Sequence, residues 1–226
     1  INGELVAADG KSFIESVSST PINRFSCNEI TEADLKVELD SYPSEDSFIP
    51  VIEALDGQLI TNKLLVTGKL HHIEWVSDVE HDILKIVVVN RYNSAPVAKA
   101  FVKGFGLKEG AIASSVAHDS HNIVAVGTDD HSLMRAINLV IAAEGGVSCV
   151  GGQHEHILPL PVAGLMSAKD GYKVAEAYTN IDEAAKLLGS SLAAPFMTLS
   201  FMALLVIPHL KLSDKGLFDG DNFCFV

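Results

Sequence analysis

At 226 residues the chain is long enough to bury a real core, as one large domain or two small ones, and nearly half its residues are hydrophobic, which excludes a disordered or low-complexity protein. Its 29 acidic against 16 basic side chains give a formal net charge of -13, which repels a polyphosphate backbone. The basic residues Lys99, Lys103, Lys108, Lys211 and Lys215 stand apart from one another, so nucleic acid is not an expected partner.

In chain order, Glu4, Leu5, Val6 and Ala7 lead into the turn pair Asp9-Gly10, with apolar residues returning at Phe13 and Ile14, which predicts a hairpin near residues 2–11. Residues 18–28 read as loop. Residues 34–39 and 48–55 read as short strands, Asp56-Gly57 as a tight turn, and Leu59, Ile60, Leu64, Leu65 and Val66 as a continuation of the β pattern. Residues 1–74 are therefore expected to be a small, mostly β subdomain, and residues 75–226 a mixed α/β layered domain, making the chain α+β.

In the second part, the apolar run over residues 83–89 is that of an internal strand. Ala95, Val97, Ala98, Phe101 and Val102 recur at helical spacing, with Gly104 and Gly106 as a stop, and predict a helix. Strands are expected at 111–116 and 123–126. The next helix, 130–144, has Thr128 or Asp129 as its cap, an inner face of Leu133, Met134, Ile137, Val140 and Ile141, and Gly145-Gly146 at its end. Strands follow at 147–150 and 157–160, then a helix at 174–188 and a strongly apolar, buried one at 197–206. The apolar tract 197–210 is closed by Pro208 and His209 and is shorter than the about 20 residues of a bilayer span, so no membrane partner is expected. The apolar segment 196–206 also makes a homo-oligomer plausible, although burial within one chain explains it equally well.

Cys27, Cys149 and Cys224 are few, distant and odd in number, the pattern of a reduced, cytoplasmic protein. The chain opens at Ile1 with no basic-then-apolar leader, so a truncated protein without a secretory signal is expected.

Polar chemistry concentrates in Ser114-Ser115-Val116-Ala117-His118-Asp119-Ser120-His121-Asn122, between two strands, where sites commonly sit. His118 and His121 could carry protons, Asp119 could fix an imidazole tautomer, and Asn122 could read a carbonyl or ring nitrogen. The alternative is a turn whose Asp119, Ser120 and Asn122 bond nearby amides while the histidines pack at a contact. His154-Glu155-His156 places two imidazoles on one face of a strand, but a metal site needs three or four ligands and only His209 follows. His71, His72 and His81 read as surface residues. The sequence carries no phosphate-binding glycine loop, no G-x-S-x-G elbow, no H-E-x-x-H, no paired C-x-x-C and no H-x-E with P-C-x-x-C.

Asp82-Ile83-Leu84-Lys85, Val89-Asn90-Arg91-Tyr92, Gly104-Phe105-Gly106-Leu107-Lys108 and the stretch from Ala111-Ile112-Ala113 through the His118 loop to Ile123 together resemble the C-terminal domain of bacterial adenine deaminases. Leu160-Pro161-Val162-Ala163-Gly164-Leu165-Met166-Ser167, Pro195-Phe196-Met197-Thr198-Leu199-Ser200-Phe201 and residues 208–216 are similar to later blocks of that family. The resemblance is dense over about 80–218. It implies an amidohydrolase whose catalytic (β/α)8 barrel is absent from this chain, with residues 1–74 as the post-barrel part of a small β subdomain. It also implies hydrolysis of adenine to hypoxanthine and ammonia by a water activated on a divalent metal (manganese, iron or zinc) held by the barrel. No metal ligand carries over to this chain, and no cofactor is expected in it. Catalytic residues proper are not expected here. His118, Asp119, His121 and Asn122 would lie toward the barrel mouth, binding substrate or bracing the domain contact. Arg91 would neutralise Asp119 or bridge that contact. The implied partners are adenine, the chain's own N-terminal barrel and further copies of itself, in purine salvage. Around 151–156 the chain departs from the family's turn-like stretch. The competing reading is a non-catalytic interaction or oligomerisation domain.

Overall fold

The structure, a computed structural model, describes residues 1–15, 17, 20–42, 48–118 and 120–226. It is a mixed helix and sheet protein. A short hairpin, β1 (Ala7–Ala8) and β2 (Lys11–Ser12), turns at Asp9-Gly10 as expected. Of the strand expected at 34–39, only β3 (Val37–Glu38) forms, between the 3-10 turns Glu32–Leu35 and Leu39–Ser41. The Asp34 carboxylate holds the start of the first turn: the Thr31 amide and hydroxyl both donate to it, at 2.8 Å each. β4 (Phe48–Ala54) and β5 (Thr61–Thr67) pair antiparallel across Asp56-Gly57. β6 (Lys69–His71) and β7 (Glu74–Val76) join β3 in a three-stranded sheet over Trp75.

The centre of the molecule is an eight-stranded sheet. Its further strands are β8 (Ile83–Val89), β9 (Ala98–Lys103), β10 (Ala111–Ser114), β11 (Ile123–Gly127), β12 (Gly146–Gly151) and β13 (His154–Pro159), in the order β13-β12-β10-β11-β8-β9-β4-β5. Alternation along β8 divides its side chains between the two faces of the sheet. Val87 and Val89 gather with Leu133, Ile137 and Val140 of α1 (Asp130–Ala142). Leu84, Ile86 and Val88 gather with Ile181 of α2 (Gly171–Leu187) and Phe196 and Leu199 of α3 (Pro195–Phe201). With both faces covered, every residue of β8 is buried, which is why its sequence is apolar apart from Lys85. β4 and β5, from before residue 74, share this sheet with the later strands.

The helix expected over 95–102 is instead strand β9. It pairs antiparallel with β8 (Ile86 opposite Ala100) and parallel with β4 (Ile52 opposite Val102). Ala100, Phe101 and Val102 are all fully buried, and covering a strand on both faces erases the period-two alternation, leaving apolar spacing that mimics a helix face. Gly104 and Gly106 end a strand rather than a helix: both amides donate to the Asp82 carboxylate at 2.8 Å. At φ +100, a Cβ on Gly104 would come 2.4 Å from the Ala54 carbonyl oxygen.

Asp129 caps α1 by accepting from the Ser132 amide at 2.7 Å, one of the two caps expected. The apolar helix expected over 197–206 closes at Phe201, after starting with Pro195 in its first turn, and Met202 gives its carbonyl to the Leu212 amide. Phe196, Leu199, Met202 and Ala203 are buried within this one chain, so that tract by itself does not call for a second copy. β14 (Leu210–Ser213), β15 (Gly216–Asp219) and β16 (Cys224–Phe225) form a C-terminal sheet. No described helix is long and apolar enough to cross a membrane.

Candidate functional site

The His118 loop leaves the end of β10 and returns at the start of β11. It is held by serine hydroxyls and by backbone bonds together. The Ser114 hydroxyl accepts the Val116 amide at 3.0 Å. The buried Ser115 hydroxyl donates to the Gly164 carbonyl at 2.6 Å and accepts the Gly146 amide at 2.8 Å, joining three segments that are distant in sequence. His118 donates its amide to the Ser200 carbonyl at 3.0 Å, and its ring lies nearly parallel to Phe201, 5.2 Å between centroids at 18°. His121, at φ +54, donates its amide back to the Ala117 carbonyl at 2.8 Å, which closes the loop and brings the two imidazoles to 6.1 Å.

Asn122 is buried and accepts the Arg91 amide at 3.3 Å, so it serves the junction of β8 and β11. Arg91 is buried too, 4 % exposed. Its Nη2 donates to the Tyr92 hydroxyl, which donates in turn to the Ser120 carbonyl, both at 2.9 Å. Thus the loop brings His118 and His121 together, and Arg91 and Asn122 are joined to each other and, through Tyr92, to Ser120. Asp119 lies outside the described residues.

Two apolar cavities flank the loop. One of about 380 Å³ is lined by Ser120, Asp214 and the aromatic rings of Phe218, Phe223 and Phe225. The other, about 410 Å³, lies between the sheet, α2 and α3, with Ser114, Val116, Tyr178 and Phe196 in its wall. Burial holds the Cys27 thiol above its ordinary range, the charge of Arg91 acting in the opposite sense. Burial likewise pushes the Lys211 ammonium down to about 8.

Among the described residues no three His, Cys, Asp or Glu side chains converge on a point where an ion could sit. His154, Glu155 and His156 are exposed on the edge strand β13, and Glu155 is taken by Arg135 Nε at 2.8 Å. His209 is bound to Asp221, and His81 to Asp78. Phe201 and the Ser115–Gly164 tie escape a sequence reading because both act across long separations, although Phe201 and Gly164 sit in stretches already singled out.

A family model described as the adenine deaminase C-terminal domain matches residues 58–224. The whole chain aligns with curated adenine deaminases: 50% identity over 229 residues with that of Salinibacter ruber, 47% over 233 with that of Methanosarcina acetivorans, and 43% over 228 with that of Borreliella afzelii. In each comparison this chain is covered completely, while 41–42% of the relative is covered. The chain thus spans about two fifths of the length of the curated relatives it matches.

Proposed function

The chain belongs to the adenine deaminase C-terminal domain family, and from that premise we propose that it is part of a longer enzyme that hydrolyses adenine to hypoxanthine and ammonia. The observation that carries the proposal is the match to adenine deaminases along the entire chain. In that reaction water adds at C6 of the purine and the exocyclic amino group leaves with the proton it needs, so an activated water and a proton carrier are required. The described residues do not fit a metal centre, and this reading assigns the divalent ion, manganese, iron or zinc, to a (β/α)8 barrel outside the chain.

In the same reading residues 1–74 continue a small β subdomain of the longer protein and residues 75–226 form a layered α/β domain, with the sheet common to both. His118 and His121 face the barrel contact, where they close over the purine or brace the interface. Asn122 and Arg91 support the loop from below. The reaction places the enzyme in purine salvage and adenine catabolism, and the free thiols of Cys27, Cys149 and Cys224 favour the cytoplasm. A second reading, that the domain serves assembly and homo-oligomer formation without touching substrate, draws on the exposed side chains of Leu5, Phe13, Val17 and Ile22.

Ammonia release from adenine by the longer, metal-loaded polypeptide, run beside this chain alone, tests the proposal. Turnover by the former only is expected. A folded, metal-loaded polypeptide without turnover rules adenine out, and turnover by this chain alone puts the site here. His118→Ala separates the two readings: loss of kcat/KM with an unchanged melting temperature favours a substrate contact, and loss of assembly favours the structural one.

A further inference from the structure

Three buried cations lie among the described residues, Lys85, Lys211 and Arg91. Lys85 meets the Asp130 carboxylate and the Leu35 carbonyl, and Lys211 meets the Leu59 carbonyl. Arg91 is different. Its Nη2 donates to the Tyr92 hydroxyl, but Nε and Nη1 are buried without an acceptor among the described residues. The guanidinium carbon lies over the Tyr92 ring at 4.7 Å and the Phe25 ring at 5.7 Å. Such contacts favour a cation through the ring quadrupole but offer nothing to N–H bonds that point along the guanidinium plane. Nη1 presses on Gly164, where a Cβ would come within 1.8 Å of it.

The roof over this charge is the segment 22–26, tied down where Ser26 donates its amide to the Arg91 carbonyl and Ala163 donates to the Ile22 carbonyl. The same roof carries Ile22, 82% exposed, and Asn23, whose Oδ1 is buried without a donor among the described residues. An apolar side chain left in water and unmet polar atoms at one place mark a surface completed by something else.

We propose that Arg91 is the receptor for a carboxylate that the longer polypeptide brings from outside this chain. The inference rests on the reading that this chain docks against the remainder of an enzyme. A carboxylate fits because it is planar, singly charged and accepts in the guanidinium plane, where a tetrahedral phosphate needs more room and more charge. Its arrival pairs a buried charge that is unmatched among the described residues, so the contact gains strength by offsetting the cost of that burial.

The test compares Arg91→Met in two backgrounds by thermal melting. In this chain by itself the substitution removes a charge unmatched among the described residues, and the melting temperature is expected to hold or rise by about 2–4 °C. In the longer polypeptide it strands the incoming carboxylate, and the melting temperature is expected to fall by at least as much. An equal fall in both backgrounds would place the acceptor inside this chain and overturn the proposal. Sodium acetate, against matched sodium chloride, identifies the source: it should stabilise the wild-type short chain, leave Arg91→Met unmoved, and do nothing to the longer polypeptide. Acetate stabilising the longer polypeptide as strongly would make this a site for a free carboxylate and defeat the docking role. Hydrogen exchange at residues 22–26 of the longer polypeptide is a second readout, expected to rise in Arg91→Met, and unchanged exchange counts against the contact. None of these measurements needs deaminase turnover, so they stand or fall apart from the assignment of adenine.

Discussion

On the α1 side of the sheet, Lys85 crosses from β8 to the Asp130 carboxylate and the Leu35 carbonyl, while at the C-terminal sheet Lys211 ends on the Leu59 carbonyl alone. Both side chains are almost wholly removed from water. Burial pushes both ammonium groups below their ordinary range, but for Lys85 the carboxylate of Asp130 opposes the shift, and for Lys211 no charge among the described residues does. The first region uses a buried lysine as a bolt between the 3-10 turn, the sheet and α1. The second keeps one as a standing cost whose size depends on pH.

The sharpest way to break that contrast is to remove the partner. Asp130→Ala leaves the buried Lys85 without its carboxylate, with the Leu35 carbonyl as its remaining hydrogen-bond partner, and a loss of about 2–4 kcal/mol in urea unfolding at pH 7 is expected. A loss no larger than that of a surface substitution would mean the pair contributes nothing.

Next in size is the pH dependence of Lys211. Below pH 8 the folded and unfolded chains both hold the proton and the full penalty applies. Between about 8 and the unfolded value of 10.5, the unfolded chain binds a proton that the folded chain has shed, so stability rises with pH by about 2–3 kcal/mol and then levels off. In Lys211→Met that rise should vanish from urea titrations run at pH 7 to 10, and a persisting rise would assign it to another group.

The smallest effect belongs to Lys186, whose ammonium meets Asp182 at 2.6 Å on the surface of α2. Lys186→Ala should leave the urea midpoint where it was, because an exposed pair is screened and costs side-chain freedom to hold.

The same contrast shows how far residues can be read without coordinates. Strands β8, β10 and β11 and helix α1 were legible because each pairs an apolar run with a local stop, such as Asp129 before α1 and Gly145 after it. β9 was not, because covering both faces removed its alternation, and the stopping glycines answer to Asp82, some twenty residues earlier. The strands β14 and β15 went unread because their hairpin turns on Asp214-Lys215, which lacks the usual glycine at its centre. Within the candidate site, the cluster of His118, His121 and Asn122 is visible as polar residues between two apolar strands. The stacking of His118 on Phe201 and the unmet nitrogens of Arg91 are not, since they depend on what lies across the fold.

The Thr61 hydroxyl donates to the Leu210 carbonyl, and the Thr61 backbone exchanges bonds with Pro208 and His209, across a separation of about 150 residues. Thr61 opens the edge strand of the central sheet. During synthesis that strand therefore emerges well before the residues that seal it, and its outer backbone groups stay open to pairing with other chains throughout the interval. Such a distant closure forms late, because the chain between its two ends must be ordered first.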